Sequence, residues 1–167
     1  TFIARSLDRE QKHLQAVLKK ANDHKGTSYV EIYQNCNIFN DGAFSDLTER
    51  ETKMETQLVL ENGQPLIFGK DQNKGIRLNG SQFEIIEVGS NFSLDDMLVH
   101  NTKDKNLALL LSDLTYQPEF PKPIGVFYEE EKPTYEELLI NQIDDAKSRM
   151  PKADFDELIR SSHTWEI

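Results

Sequence analysis

The sequence is poor in cysteine and contains no long apolar run. Cys36 is the single cysteine among the 167 residues, which excludes an internal disulfide framework and a metal site built only from this chain's cysteines. No apolar run approaches the roughly 20 residues that a membrane-spanning helix needs, so we expect no membrane span. The first residues lack the basic start and apolar stretch of a secretory signal, and together these absences predict a cytoplasmic protein.

Positive charge is also scarce. The chain has 19 lysine and arginine residues against 29 aspartate and glutamate residues, which gives a formal net charge of −10. This excess of negative charge argues against nucleic acids and anionic membranes as main partners. No phosphate-binding glycine loop and no Ser-His-Asp arrangement is visible in the sequence, so neither nucleotide binding nor serine hydrolysis finds support there.

The first 35 residues predict a strand, a helix and a second strand. Phe2–Ala4 begins a strand, Asp8 and Gln11 resemble a capping box, and Tyr29–Tyr33 is rich in residues that favour strands. Between the two strands, apolar residues recur with helical spacing at Leu14, Val17, Leu18 and Ala21. A strand–helix–strand unit of this length implies a parallel sheet.

The residues beyond about 45 favour an α+β arrangement. Asn62-Gly63 and Asn79-Gly80 each lie between two apolar runs, and this pattern predicts two antiparallel hairpins, 58–68 and 76–86. Further elements are expected in this order: a short helix within 44–55, a helix over 103–114 capped by Thr102, a strand over 124–128, and helices over 133–149 and 153–160. We therefore predict an α/β chain in which residues 1–45 complete a parallel-sheet domain and residues 46–167 form an α+β extension.

Cys36 lies in the loop after the second predicted strand, where ligands bind in open α/β sheets. Its thiol fits three roles: a ligand to an iron–sulfur cluster whose other ligands lie elsewhere, a nucleophile, or a small buried residue without chemistry. A nucleophile needs a histidine within about 3–4 Å, and His24 and His100 are the candidates. The histidines form no metal-binding pair, and the acidic run 129–131 is expected to be a solvated loop. The residues alone leave the three roles open.

The loop around Cys36 carries the string Gln-Asn-Cys-Asn-Ile-Phe-Asn-Asp at 34–41, and further stretches accompany it along the chain. They are Phe-Ile-Ala-Arg at 2–5, His-Lys-Gly-Thr-Ser-Tyr-Val-Glu-Ile at 24–32, Leu-Val-His at 98–100, Phe-Pro-Lys-Pro-Ile-Gly-Val at 120–126 and Thr-Trp at 164–165. In this order they resemble the C-terminal half of the β subunit of 2-oxoacid:ferredoxin oxidoreductases. The string at 34–41 is the most specific piece and is similar to the bacterial 2-oxoglutarate branch.

This resemblance implies an enzyme that oxidatively decarboxylates a 2-oxoacid with coenzyme A to give acyl-CoA, CO2 and reduced ferredoxin. It implies thiamine diphosphate, Mg²⁺ and a [4Fe-4S] cluster as cofactors, and a separate α subunit and ferredoxin as partners. Cys36 then corresponds to the last cluster ligand, and residues 1–45 to the end of the thiamine-diphosphate-binding domain. Asn37, Asn40 and Asp41 are expected neighbours of the cofactor cleft, and no catalytic residue is assigned.

Parts of the family pattern have no counterpart in this sequence. The family's Cys-x-x-Cys pair, its later single cysteine and its Gly-Asp-Gly…Asn diphosphate motif are absent, and its His-Asp pair is His100-Asn101 here. Because the chain also begins within a strand, we expect it to be part of a longer chain, inactive and free of cofactor in isolation. Pyruvate, 2-oxoglutarate and branched-chain acids stay open as substrates, with 2-oxoglutarate favoured. The alternative is a non-catalytic docking module formed by the hairpins and acidic helices after residue 57.

Overall fold

The computed structural model describes residues 1–89, 91–150 and 154–160. The strands are β1 (Phe2–Leu7), β2 (Ser28–Tyr33), β3 (Gln57–Leu60), β4 (Ile67–Phe68), β5 (Lys74–Asn79), β6 (Gln82–Glu87) and β7 (Lys122–Glu129). The α-helices are α1 (Gln11–Asp23), α2 (Ser45–Thr48), α3 (Lys53–Thr56), α4 (Lys105–Asp113), α5 (Tyr135–Arg149) and α6 (Phe155–Arg160), and 3₁₀ turns lie at Leu94–Asp96 and Leu114–Tyr116. The chain forms two compact units, one over Thr1–Lys132 and a second that starts at Pro133.

The first unit contains a mixed four-stranded sheet in the order β2-β1-β7-β3. β1 and β2 are parallel and are joined by α1, as the sequence predicts. β7 lies between β1 and β3, antiparallel to the first and parallel to the second. The expectation of a purely parallel sheet is therefore wrong at β7. The predicted end of the cofactor-binding domain at residue 45 stays a prediction. The four-stranded sheet extends across this position, because β3 and β7 follow residue 45 in the sequence.

The four-stranded sheet packs through separate apolar clusters. α1 covers one face, where Val17 packs with Phe2, Ala4 and Val126. A larger core joins β3 and β7 to α4 and to the second sheet; its buried members are Leu58, Leu60, Leu66, Phe68, Ile76, Leu107, Ala108, Leu111, Leu114 and Phe127. The apolar spacing predicts the buried faces only in part, because Leu18 and Leu110 belong to the predicted stripes but are 44% and 36% exposed.

The second predicted hairpin forms as part of a three-stranded antiparallel sheet in the order β4-β5-β6. β5 and β6 pair from Lys74–Glu87 to Asn79–Gln82, so the two connecting residues are Gly80 and Ser81. Asn79 is the last paired residue rather than a turn residue. Gly80 has φ +62°, and a glycine at the first of two turn positions is typical of a type II′ hairpin.

The first predicted hairpin, 58–68, is wrong. β3 joins β7 in the mixed sheet, whereas β4 joins β5 in the other sheet. Gly63 does turn the chain, with φ +77°. However, its N–H donates to the carbonyl oxygen of His100 at 2.8 Å, and the N–H of Leu66 donates to the carbonyl oxygen of Leu98 at 2.8 Å. Distant partners therefore replace the local pairing that the Asn-Gly signal favours.

Two predicted helix caps are also wrong. α1 begins after Glu10, and no side chain caps it, so Asp8 and Gln11 form no capping box. α4 begins two residues later than predicted, and its cap is Asp104, whose carboxylate accepts two backbone N–H groups of the first turn. Thr102 is buried instead. A carboxylate satisfies the free N–H groups of a helix start and also faces the positive end of the helix dipole.

The remaining predicted helices occur with adjusted bounds. The segment 44–55 holds the single-turn helices α2 and α3 rather than one helix. α5 confirms the helix predicted over 133–149, and Thr134 and Glu137 form its capping box. α6 confirms the last helix over Phe155–Arg160, whereas Ala153 and Trp165 lie outside the described residues. Among the described residues, no helix is long and apolar enough to cross a membrane.

We predict that Gly125→Ala lowers the free energy of unfolding by about 3 kcal/mol, because it combines a strained backbone with a clash. Gly125 has φ +120° within β7, and a Cβ there would lie 2.5 Å from the carbonyl oxygen of Leu60. Gly63→Ala is the control, since its φ is also positive but nothing lies within 4 Å of the added Cβ; we expect a loss of about 1 kcal/mol. Urea denaturation measures both, and equal losses would contradict the clash.

Candidate functional site

The loop that carries Cys36 leaves the carboxyl end of β2. Because β1 and β2 are parallel and end together at Leu7 and Tyr33, the loops that follow them lie at the same edge of the sheet. A cleft of about 390 Å³ opens between these loops, and its lining includes Asp8, Arg9, Asn35, Asp41, Thr48 and Glu49. The Cys36 loop therefore forms one wall of a polar cleft at the edge where open α/β sheets bind ligands.

Aromatic stacking closes the base of the Cys36 loop. Tyr33 ends β2 and Phe44 precedes α2, and their rings stack with centroids 4.5 Å apart and an interplanar angle of 10°. The guanidinium carbon of Arg5 lies 5.0 Å from the centroid of the Tyr33 ring. The two ends of the loop are thus held together and tied to β1.

Two further sets of hydrogen bonds close the Cys36 loop between Tyr33 and Phe44. The Asn35 side chain donates from Nδ2 to Asp41 Oδ1 at 2.9 Å, and its Oδ1 accepts the N–H of Gly42 at 2.9 Å. Inside that bridge, the N–H of Asn40 donates to the carbonyl oxygen of Cys36 at 2.9 Å. The expectation that Asp41 and Asn40 neighbour the cleft is consistent with this arrangement, in which Asp41 lines the cleft and Asn40 closes the turn.

The Cys36 thiol faces backbone N–H groups of its own loop. Hydrogen bonds from the N–H groups of Phe39 and Ile38 hold the pKa of the thiol below its ordinary value, because they stabilise the thiolate. Cys36 is half-buried, so its interpretation as a fully buried core residue is wrong. A partly accessible sulfur whose anion is stabilised by N–H donors suits a metal ligand or a nucleophile.

The tip of the loop presents apolar side chains to solvent. Ile38 is 84% exposed and Phe39 is 90% exposed. Ile38 and Phe39 are also residues whose backbone N–H groups lower the pKa of the Cys36 thiol, so the loop that holds the thiol has an apolar tip. Such a surface suits a group that is itself shielded from water.

Neither candidate histidine is a base for Cys36. His24 precedes β2 and Cys36 follows it, which separates them by a strand length of about 20 Å, and His24 Nε2 lies 2.8 Å from Thr1 Oγ1. His100 is 1% exposed, and its Nε2 donates to the carbonyl oxygen of Val126 at 2.7 Å. Burial lowers the pKa of His100, so the ring is neutral at neutral pH. The nucleophile role of Cys36 therefore finds no base in His24 or His100.

The acidic run 129–131 forms surface ion pairs, as expected of a solvated segment. Glu130 lies 2.9 Å from Lys132, and Glu129 lies 3.4 Å from Lys103. Within the part of the chain that the structure describes, no group of three or more His, Cys, Asp and Glu side chains could hold a metal ion. Cys36 can therefore supply one ligand, but no complete metal site surrounds it.

Sequence reasoning missed the Asn35 bridge and the opposite wall of the cleft. Arg9 follows β1 and donates to Glu49 Oε1 at 3.0 Å, which fixes the end of α2 beside the cleft. The signal for Asn35 was available, because an asparagine six residues before an Asp-Gly pair can close a loop with its side chain. The Arg9–Glu49 contact joins residues 40 apart, and no local pattern predicts it.

We predict that Cys36 reacts with iodoacetamide at a lower pH than a cysteine in an unfolded chain, because only the thiolate reacts and the loop N–H groups stabilise it. The measurement is the alkylation rate, followed by mass spectrometry across a pH series. The same chain in urea is the control, since it removes the N–H donors but keeps the sequence. Superimposable rate profiles for the folded and unfolded chain would contradict the prediction.

Comparison with curated proteins finds a match over the whole chain. The 2-oxoglutarate oxidoreductase subunit KorB of Mycobacterium tuberculosis is 30% identical over 171 residues, which covers 100% of this chain and 45% of KorB. The chain thus spans about half the length of the curated relative that it matches. No family model matches the sequence.

A solved structure has the same fold. The 2-oxoglutarate:ferredoxin oxidoreductase from Magnetococcus marinus, solved with 2-oxoglutarate, coenzyme A and succinyl-CoA bound, aligns with a TM-score of 0.55 at 18% identity, over 98% of this chain and 41% of that chain. This likeness supports the mixed α/β fold described above. The resemblance indicated by the motifs is therefore confirmed: over its whole length the chain is similar to the 2-oxoglutarate oxidoreductase subunit KorB, and it corresponds to a C-terminal region of that subunit.

Proposed function

We propose that this chain is the C-terminal part of the catalytic β subunit of a 2-oxoacid:ferredoxin oxidoreductase. The observation that carries the proposal is the Cys36 loop, which combines the family's string at 34–41 with a thiol whose anion two backbone N–H groups stabilise. The whole-length similarity to KorB supports it. Such an enzyme converts a 2-oxoacid and coenzyme A to acyl-CoA and CO2, and the two electrons released reduce ferredoxin.

Cys36 is the proposed iron ligand from this chain. A [4Fe-4S] cluster binds four thiolates, and it would accept and release the electrons of the reaction one at a time. The N–H groups of Phe39, Ile38 and Asn40 lower the pKa of the Cys36 thiol and so favour the thiolate that binds iron. Hydrogen bonds to ligand sulfurs also raise a cluster's reduction potential by stabilising its added negative charge. The loop backbone would therefore favour the ligand form of the sulfur and contribute to the electrostatic environment of a cluster.

This chain can supply one of the four thiolate ligands of a [4Fe-4S] cluster. Cys36 is the only cysteine in the sequence, so the other thiolates have to come from protein outside this chain. The same holds for the Mg²⁺ and diphosphate site of thiamine diphosphate, since the Gly-Asp-Gly motif is absent. We therefore assign no residue of this chain to thiamine diphosphate and no catalytic residue.

The substrate and partners follow from the same proposal. 2-Oxoglutarate is favoured, because both relatives carry that substrate in their names. Coenzyme A, ferredoxin and a separate α subunit are the proposed partners, and a cytoplasmic location stays a prediction. Direct binding of nucleic acid is not expected from a chain with a net charge of −10.

A docking function is the second candidate, and one surface favours it. A groove of about 450 Å³ lies on the sheet face opposite α1, where Ile3, Tyr29 and Leu109 contribute apolar surface. Strands of parallel sheets are normally covered on both faces, so this face is suited to contact further protein. The docking function assigns no chemistry to Cys36, and this difference separates the two candidates.

We predict that Cys36→Ala removes most of the cluster iron from the complete oxidoreductase and abolishes its reduction of ferredoxin, because one of four ligands is lost. Iron analysis and the electron paramagnetic resonance signal of the reduced enzyme measure the loss. Gln34→Ala is the matched control, since Gln34 lies in the same loop, is exposed, and makes no side-chain hydrogen bond among the described residues. A Cys36→Ala enzyme with full cluster content would favour the docking function.

The isolated 167-residue chain is expected to assemble no cluster when it is supplied with iron and sulfide, because it offers a single thiolate. The absorption spectrum after reconstitution and desalting checks this. A stoichiometric [4Fe-4S] spectrum on the isolated chain would contradict the proposal that the other ligands lie elsewhere.

A further inference from the structure

Asn35 uses its whole side-chain amide to bridge the Cys36 loop. Nδ2 donates to Asp41 Oδ1 at 2.9 Å, and Oδ1 accepts the N–H of Gly42 at 2.9 Å. Gly42 has φ +77°, a conformation that a glycine adopts at little cost. One side chain therefore joins the start of the loop to both a side chain and the backbone at its end.

The bridge encloses the turn that holds the thiol. Inside it, the N–H of Asn40 donates to the carbonyl oxygen of Cys36 at 2.9 Å, and the N–H groups of Ile38 and Phe39 face the sulfur. Outside it, the stacked rings of Tyr33 and Phe44 also close the loop. The position of the thiol thus depends on a turn that the Asn35 bridge closes.

Without the bridge, the loop has little to hold it in one conformation. The contacts that Asn35 makes are exposed to solvent, and the side chains of Ile38 and Phe39 are almost fully exposed. Each loop residue that is free to move costs about 1–2 kcal/mol to order. A bridge formed on folding meets that cost before a ligand binds, which is the basis of preorganisation.

We propose that Asn35 is a positioning residue: its amide holds the Cys36 loop in the conformation that presents the thiolate to iron. This inference rests on the proposed function of Cys36 as a cluster ligand. Asn35 itself touches neither the cluster nor the substrate in this role. It acts through Asp41 and Gly42 on the turn between them and Cys36.

An exchange of the two side chains tests the geometry. Asn35→Asp places two carboxylates opposite each other and removes the donor, so it opens the bridge. Asn35→Asp combined with Asp41→Asn moves the donor to position 41 and keeps a carboxylate oxygen at position 35 to accept the N–H of Gly42. The exchanged pair keeps the net charge of the original chain. Gln34→Ala is the control on the same loop.

In the 167-residue chain, amide hydrogen exchange at Asn40 and Gly42 reports the order of the loop. We expect Asn35→Asp to accelerate this exchange on the order of tenfold, since two hydrogen bonds are lost. The exchanged pair should return the exchange to the original rate, and Gln34→Ala should leave it unchanged. Unaltered exchange in Asn35→Asp, or failure of the exchanged pair to restore it, overturns the inference.

In the complete oxidoreductase, the rate of iron loss to a chelator reports how well the ligand is held. We expect about a tenfold faster loss in Asn35→Asp, recovery in the exchanged pair and no change in Gln34→Ala. Cys36→Ala in the same assay separates the two claims. If Cys36→Ala keeps its cluster, the proposed function fails; if it loses the cluster while Asn35→Asp releases iron at the original rate, only the positioning role fails.

Discussion

The candidate site depends on one partly buried cation, Arg5 of β1. Its guanidinium hydrogen-bonds to Glu31 at 2.6 Å and to Thr115 at 2.7 Å, and its central carbon lies 5.0 Å and 5.1 Å from the ring centroids of Tyr33 and Phe127. Removing a guanidinium from water is tolerated when polar partners and aromatic rings replace the lost hydration. β2, β7 and the turn that contains Thr115 therefore take fixed places around Arg5. This requirement secures the parallel register of β1 and β2, and so the point at which β2 ends.

The order imposed by Arg5 extends from the core to the thiol through progressively smaller loops. The Tyr33 ring contacts the Arg5 guanidinium and stacks on Phe44, which joins the two ends of the loop. Between these ends, the Asn35 side chain hydrogen-bonds to Asp41. Between Asn35 and Asp41, the N–H of Asn40 donates to the carbonyl oxygen of Cys36. Each closure shortens the segment that the next one has to order. The result is a half-buried thiol with N–H donors, held at the carboxyl edge of a sheet by a loop with no regular secondary structure.

Local patterns predicted the local parts of this structure. The strand–helix–strand unit joins residues at most 33 positions apart, and the β5–β6 hairpin forms around a glycine turn. Local sequence patterns therefore predict both. The pairing of β3 with β7 joins Leu60 to Gly125, and no periodicity reports such a contact. At the site, the motif predicted Cys36 and its loop. The sequence shows that Asn35 could close this loop, and the folded backbone shows that it does, because closure depends on the direction of the Gly42 N–H.

The central claim is that Cys36 binds iron, and thiol protection in the native enzyme tests it most directly. The cluster-loaded oxidoreductase that contains this chain is treated with a thiol-alkylating reagent before and after a chelator removes the iron, and Cys36 is followed by mass spectrometry. The account predicts that Cys36 stays unmodified while the cluster is present and is alkylated rapidly once iron is gone. Equal alkylation of Cys36 in the loaded and iron-free enzyme would contradict it.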